Sequence, residues 1–171
     1  AAQMFRDGTL HADPNPANFA VRDDGTLLLY DFGCIKELSD VQLRTYRQII
    51  RAAFQRRVEL MEPLMQRLGA RVEGTEPPPE SLYHQWLDLA LEPMIADEYY
   101  DYATSTVHER VQDHIDLFRK HGDAFQPPDG GAYVNRTVLG IHNILRKLGA
   151  RVRWRGLVEE YLPDDVLSEF D

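Results

Sequence analysis

From Ser39 onward the apolar positions recur at helical spacing. Val41, Tyr46, Ile49, Ile50, Ala53 and Phe54 share one face and arginines occupy the other, the pattern of an amphipathic helix laid on a core. Ser39 and Gln42 stand at capping-box spacing at its start. A second helical run takes in Val58, Met61, Leu64, Met65 and Leu68. Gly69 to Pro79, with three consecutive prolines, then reads as a loop and as the best site for an internal boundary. Three further helices are predicted: around Leu82 to Ile95, from Val107 to Lys120 with Thr106 and Glu109 in capping positions, and from Tyr133 to Leu148. A short closing helix is expected near Leu157 to Leu162.

The first 38 residues follow a different pattern. Ala1, Ala2, Met4 and Phe5 look like the end of a helix stopped by Asp7 and Gly8, so the chain reads as one cut within a helix. Phe19-Ala-Val and Leu27 to Tyr30 are short apolar runs on either side of Asp23-Asp24-Gly25, a hairpin whose turn is the Asp-Gly step. Apart from that hairpin everything reads as helix and loop. The expectation is a mainly α unit over residues 1–171: a front segment 1–38, a helical remainder 39–171, and a loop at 69–80.

Composition narrows the class. At 171 residues, 43% hydrophobic and 27% charged, the chain suits one soluble domain with a real core and is far from a disordered sequence. The single cysteine, Cys34, allows no internal disulfide and favours a reducing compartment. There is no apolar stretch of membrane-spanning length and no signal-peptide pattern. Net charge is -9, concentrated in an acidic segment from Glu73 to Asp129. That charge argues against a nucleic-acid partner, which clustered Lys and Arg would serve, and reads as a solvated face.

Two motifs carry candidate chemistry. His11-Ala-Asp13-Pro-Asn-Pro-Ala-Asn18 sets an Asp two residues after a His and an Asn five after the Asp, the spacing of a kinase catalytic loop; Asp31-Phe32-Gly33 follows. In that arrangement Asp13 is the catalytic carboxylate, orienting or deprotonating an attacking hydroxyl or water. Asn18 and Asp31 are the metal and cofactor ligands, giving oxygens to Mg²⁺ that bridges nucleotide phosphates; Mg²⁺ takes hard oxygens and keeps several waters. Each motif alone is weak, because Asp-Pro-Asn-Pro is also a good turn. Together they flank the hairpin, whose strands can join Asn18 to Asp31. Phe32 is expected to pack beneath the site and Gly33 to supply the turn that aims Asp31 inward. His11 reads as a packing and hydrogen-bonding residue, and Cys34 as a small buried one.

Other clusters read as structural. His114 and His121 are too far apart along one helix to share a metal, and His84 with Asp88 lacks a third ligand. Asp97, Glu98 and Asp101 lack the alternation and glycine of a calcium loop, and Tyr99, Tyr100 and Tyr102 are expected to anchor that segment on the core. Arg146, Lys147, Arg151, Arg153 and Arg155 fit the end of a helix, where cations are favoured, with anionic lipid or a protein partner as the alternative.

HADPNPAN, LLLYDFGCIKEL and YRQIIRAAFQRR resemble the UbiB-like atypical kinases, or AarF-domain proteins, whose catalytic loop typically reads HADPHPGN. Asn15 and Ala17 are departures at positions that carry no proposed role. The likeness continues through YDYATSTVHERV and VNRTVLGIHNILRKLGARV. It implies a protein-kinase-like C-terminal lobe in which the small hairpin carries the catalytic loop and DFG. The implied function is that of an ATP- and Mg²⁺-dependent kinase or ATPase supporting coenzyme Q biosynthesis. Implied partners are nucleotide, and quinone-biosynthesis proteins or membrane lipid through the longer protein. The implied location is cytoplasmic or membrane-peripheral in a bacterium and mitochondrial in a eukaryote. The family's nucleotide loop, strand Lys, paired Glu and KxGQ extension would lie upstream of Ala1, so the isolated chain is expected to be inactive. Two alternatives stand beside it. One is a non-catalytic helical interaction module. The other is a small-molecule phosphotransferase of the aminoglycoside-kinase type, which shares the H-x-D-x-x-x-x-N spacing.

Overall fold

The computed structural model describes residues 1–107, 109–110 and 120–171. The helices among them are α1 (Ala2–Phe5), α2 (Asp40–Phe54), α3 (Met61–Leu68), α4 (Glu80–Ala90), α5 (Glu92–Ile95), α6 (Gly131–Lys147) and α7 (Trp154–Glu159). The strands are β1 (Thr9–His11), β2 (Phe19–Val21), β3 (Leu27–Leu29), β4 (Ile35–Glu37), β5 (Tyr100–Asp101) and β6 (Arg151–Val152). The chain is mainly helical. None of the described helices is long and apolar enough to cross a membrane. Most of the helix expected at Val107 to Lys120 lies outside the described residues.

Among the described residues the single expected hairpin is one of three two-stranded antiparallel sheets: β1 with β4, β2 with β3, and β5 with β6. The β2–β3 hairpin follows the apolar runs, pairing Phe19 with Leu29 and Val21 with Leu27. The β1–β4 ladder pairs Thr9 with Glu37, Leu10 with Lys36 and His11 with Ile35, residues too few and too polar to announce a strand. Its position matters most, because it joins the residues just before the catalytic loop to those just after DFG.

Helix α2 starts as its sequence indicates: the Ser39 hydroxyl accepts from Gln42 N and Gln42 Oε1 accepts from Ser39 N at 2.9 Å, satisfying two otherwise unpaired donors. Ile49, Ile50, Ala53 and Phe54 are buried, but Val41, in the first turn, is exposed. In its place the polar Thr45 and Gln48 are fully buried. Thr45 Oγ1 donates to the Val41 carbonyl, and Gln48 Nε2 donates to the carbonyl of Val166 and to Glu169. The C-terminal segment therefore docks on α2, where a buried amide finds its partners.

The remaining differences have local causes. The helix expected over Leu82 to Ile95 breaks at Leu91, with Pro93 opening α5, since proline suits a first turn and not an interior. Val58–Leu60 is a 3₁₀ turn before α3, which ends on Gly69 at φ 79°. The closing helix lies earlier than expected, at Trp154–Glu159. The Gly69 to Pro79 loop is no seam: one buried cluster contains Ile49, Leu64, Ala70, Tyr83 and Leu87 from both sides of it.

The loop is also tied down by charge. Arg71, buried, donates from Nε to both oxygens of Glu62 at 3.0 Å and from its other nitrogens to the carbonyls of Ala124 and Glu76. Burial by itself would raise the Glu62 carboxyl, yet hydrogen bonds from Tyr83, Arg71 and Gln66, with the Arg71 charge, hold it below its ordinary value. Burial and the bond to Glu62 push the Tyr83 phenol up.

Tyr102 is buried, with its hydroxyl accepting from Trp154 Nε1 at 2.6 Å, and Tyr100 bonds Glu92 and Ser105. Tyr99, expected to anchor with them, is exposed. Arg153 forks onto Asp97 at 2.7 and 2.6 Å, and Arg151 lies near Asp101. Much of the basic end thus faces the acidic segment.

Candidate functional site

The β1–β4 ladder continues past its last pair, as Ala12 N donates to the Cys34 carbonyl at 2.8 Å. Residues 12 to 34 are therefore an excursion pinched at its base. Within it Pro14, Asn15 and Pro16 make a stiff turn into the short 3₁₀ helix Pro16–Asn18. Asn15 Oδ1 accepts from Ala17 N at 3.0 Å, and proline stands at the start, where no N–H is needed. The hairpin then brings Tyr30 N to the Asn18 carbonyl at 2.8 Å. Asn18 and the residue before Asp31 are thus joined directly through backbone.

His11 locks this arrangement from beneath. It is 4% exposed, and its Nε2 donates to the Asp31 carbonyl at 2.7 Å, which requires a proton on that nitrogen. Nδ1 has no hydrogen-bond partner among the described residues. The ring packs edge-on to Phe32, with centroids 5.9 Å apart. Phe32 itself, expected to be packed underneath, is 62% exposed.

Asn18 and Asp13 meet side chain to side chain. Asn18 Nδ2 donates to Asp13 Oδ2 at 2.9 Å and to the Asp13 carbonyl at 3.2 Å. Those bonds fix the amide orientation and leave its Oδ1 as the end available to a ligand. The other Asp13 oxygen, Oδ1, accepts from Arg136 Nη2 at 2.6 Å.

Asp31 adopts φ 56°, the left-handed region that non-glycine residues seldom enter. The turn thus falls on Asp31 itself and not, as expected, on Gly33. The Asp31 Oδ1 accepts from Gly33 N at 3.0 Å, and a Cβ on residue 33 would lie 3.1 Å from that oxygen. A side chain there would need the Asp31 carboxylate to give by a few tenths of an ångström. A residue held in an uncommon conformation at a polar loop is a feature of functional sites.

The donor chemistry suits a hard cation. Asn18 Oδ1 and the exposed Asp31 carboxylate are the oxygens that would take Mg²⁺, with waters and phosphate oxygens filling its remaining positions. Among the described residues no group of three or more His, Cys, Asp or Glu side chains is placed to hold a metal. Cys34 is half-buried and contributes its backbone.

The sequence predicts helix α6, as Tyr133 to Leu148, but not its place as the outer wall of the site. Arg136 reaches Asp13, Thr137 Oγ1 lies 3.5 Å from the His11 carbonyl, and Gly140 sits against the Pro14 ring. A Cβ on Gly140 would fall 2.7 Å from Pro14 Cβ and nearer still to Cγ. A glycine inside a long helical pattern, at a cost of about 1 kcal/mol relative to alanine, was the one cue available that something approaches closely.

Residues 1–64 match the family model of the ABC1 atypical kinase-like domain. The match contains HADPNPAN, DFG and helix α2, and agrees with the UbiB-like resemblance those segments carry. A protein of Paramecium bursaria Chlorella virus 1, whose name places it among ABC transporters, is 46% identical over 35 residues, 20% of this chain and 8% of its own length. Among solved structures, the Rv3197–erythromycin complex from Mycobacterium tuberculosis superposes with a TM-score of 0.69 at 24% identity, over 94% of this chain and 40% of that one. The front of the chain is thus similar to the ABC1 atypical kinase-like domain, and the chain shares its fold with the mycobacterial structure. The chain spans less than half the length of either relative.

Proposed function

We propose that this chain is the C-terminal lobe of an ATP- and Mg²⁺-dependent phosphoryl-transfer protein of the UbiB-like type. Asp13 orients or deprotonates the attacking hydroxyl or water, and Asn18 and Asp31 hold the metal that bridges the nucleotide phosphates. The observation that carries the reading is the Asp13–Asn18 hydrogen bond at 2.9 Å, set beside an Asp31 whose carbonyl is tied to His11. Backbone joins Asn18 to Tyr30, the residue before Asp31, which supports reading the two motifs as parts of one site. In the longer protein we assign ATP hydrolysis in preference to protein phosphorylation, in support of isoprenoid-quinone metabolism. We expect the 171 residues alone to turn over little ATP.

Mg²⁺ with ATP should raise the melting temperature of the full-length protein, because ligand bound to the native state stabilises it. Asp31→Asn should abolish the shift. An intact protein that shows no shift at millimolar Mg-ATP would sink the assignment.

A second reading, a small-molecule phosphotransferase, draws on the mycobacterial neighbour, whose structure is a complex with erythromycin. Melting shifts with erythromycin and with aminoglycosides, measured beside Mg-ATP, separate the two. A drug-dependent shift favours the second.

A further inference from the structure

We infer that Arg136 is a positioning residue for Asp13, holding its carboxylate in the one rotation that keeps Oδ2 on Asn18 and presents the group to the acceptor. The inference rests on the phosphoryl-transfer reading of Asp13. The two Asp13 oxygens are gripped by different donors, Oδ1 by Arg136 Nη2 at 2.6 Å and Oδ2 by Asn18 Nδ2 at 2.9 Å. One donor leaves a carboxylate free to turn about its last bond; two donors on opposite oxygens do not. Arg136 is itself delivered by a fixed support: α6 is seated on the catalytic loop through Gly140 against Pro14 and Thr137 beside the His11 carbonyl. Arg136 lies outside the stretch that matches the ABC1 model, so the role belongs to the helical remainder of this chain.

Exposure separates this role from a structural one. The Arg136 side chain is 57% exposed and that of Asp13 30%, and pairs so open to water add little to folding. Removing the guanidinium should therefore leave stability nearly intact and alter what Asp13 does. A lysine in its place keeps the charge but not the planar, directed donors.

The test uses Arg136→Gln and Arg136→Lys in the full-length protein, with phosphate release from Mg-ATP as one readout. The Gln variant should lower kcat about tenfold or more while KM for Mg-ATP stays within about twofold, the signature of lost transition-state alignment. Lys should recover part of the rate. The melting temperature should stay within about 2 °C, the small shift that a weak surface contact allows. The second readout needs no turnover: in the ¹⁵N-labelled 171-residue chain the Asn18 side-chain NH₂ resonance, assigned by its loss in Asn18→Asp, should move in Arg136→Gln in the same direction as in Asp13→Asn. Wild-type kcat with an unmoved Asn18 resonance overturns the inference. So does a rise in KM at constant kcat, which would make Arg136 a nucleotide contact, or a collapse in melting temperature, which would make it structural. A wild-type protein that neither binds nor turns over Mg-ATP fails by itself and overturns the parent reading together with this one.

Discussion

Replacing Gly140 by alanine sets two physical effects of known sign against each other. In an unencumbered helix interior the change should stabilise the protein by about 1 kcal/mol, because glycine costs more backbone entropy and leaves backbone bare. Here the new methyl would sit 2.7 Å from Pro14 Cβ, and nearer to Cγ, whereas carbon atoms rest at about 3.5–4.0 Å. The proline ring is rigid and the loop behind it is anchored at Ala12 and Asn18, so the gap must be opened by lifting α6 by about 1.5 Å. Overpacking of that kind costs about 1–3 kcal/mol, and loosening the half-exposed Arg136–Asp13 pair adds no more than about 1 kcal/mol. The net expectation is a loss of about 1–2 kcal/mol. Urea unfolding of the 171-residue chain measures it, and Pro14→Ala supplies the control. With the ring gone, Gly140→Ala should become stabilising, giving a coupling of about 2 kcal/mol in the double-mutant cycle. If Gly140→Ala proves as stable as wild type with Pro14 in place, the seat between α6 and the catalytic loop is wrongly described.

Glu62→Gln should cost about 3 kcal/mol, since it strips the charge partner from a buried Arg71; chemical denaturation gives the value. The Glu62 carboxyl is held below its ordinary value. Its contribution is therefore complete above the unfolded-state pKa, about 4.3, and disappears as pH falls through the lowered native value. The Gln variant should lose that part of the acid limb in a stability–pH profile. Ser39→Ala should cost about 1 kcal/mol by opening the α2 capping box, with no loss if the cap is not formed in solution. Asp31→Gly should fold at least as stably as wild type, because φ 56° suits glycine. Asp31→Val should lose about 1–2 kcal/mol, and equal melting temperatures for the two would contradict the left-handed assignment.

What the sequence made legible was what local pattern controls. The Ser39 cap, the buried side of α2, the Asp-Gly hairpin and the stop at Gly69 all follow from short-range rules, and the two motifs could be read because their spacing is part of their chemistry. Gln48 could not be read as core, because its burial depends on the Val166 carbonyl and Glu169 arriving from the far end of the chain. The β1–β4 ladder escaped because Thr9, Lys36 and Glu37 have no strand pattern of their own. Arg136 escaped for a stronger reason. It lies 123 residues from Asp13, and among several arginines nothing local marks the one that folding brings to the mouth.

The ladder at the base of the excursion makes the site all-or-none. Side chains on a strand alternate between faces, so a slip of a single residue between β1 and β4 would turn His11 away from the Asp31 carbonyl. Three pairs are few to hold a register, and one is helped by Lys36, which reaches Asp129 at 3.1 Å. The proposed site geometry would therefore be stored as an alignment between two neighbouring threads of backbone. Substitutions at Thr9, Lys36 or Glu37, none of which carries any chemistry, could silence it by shifting that alignment one notch.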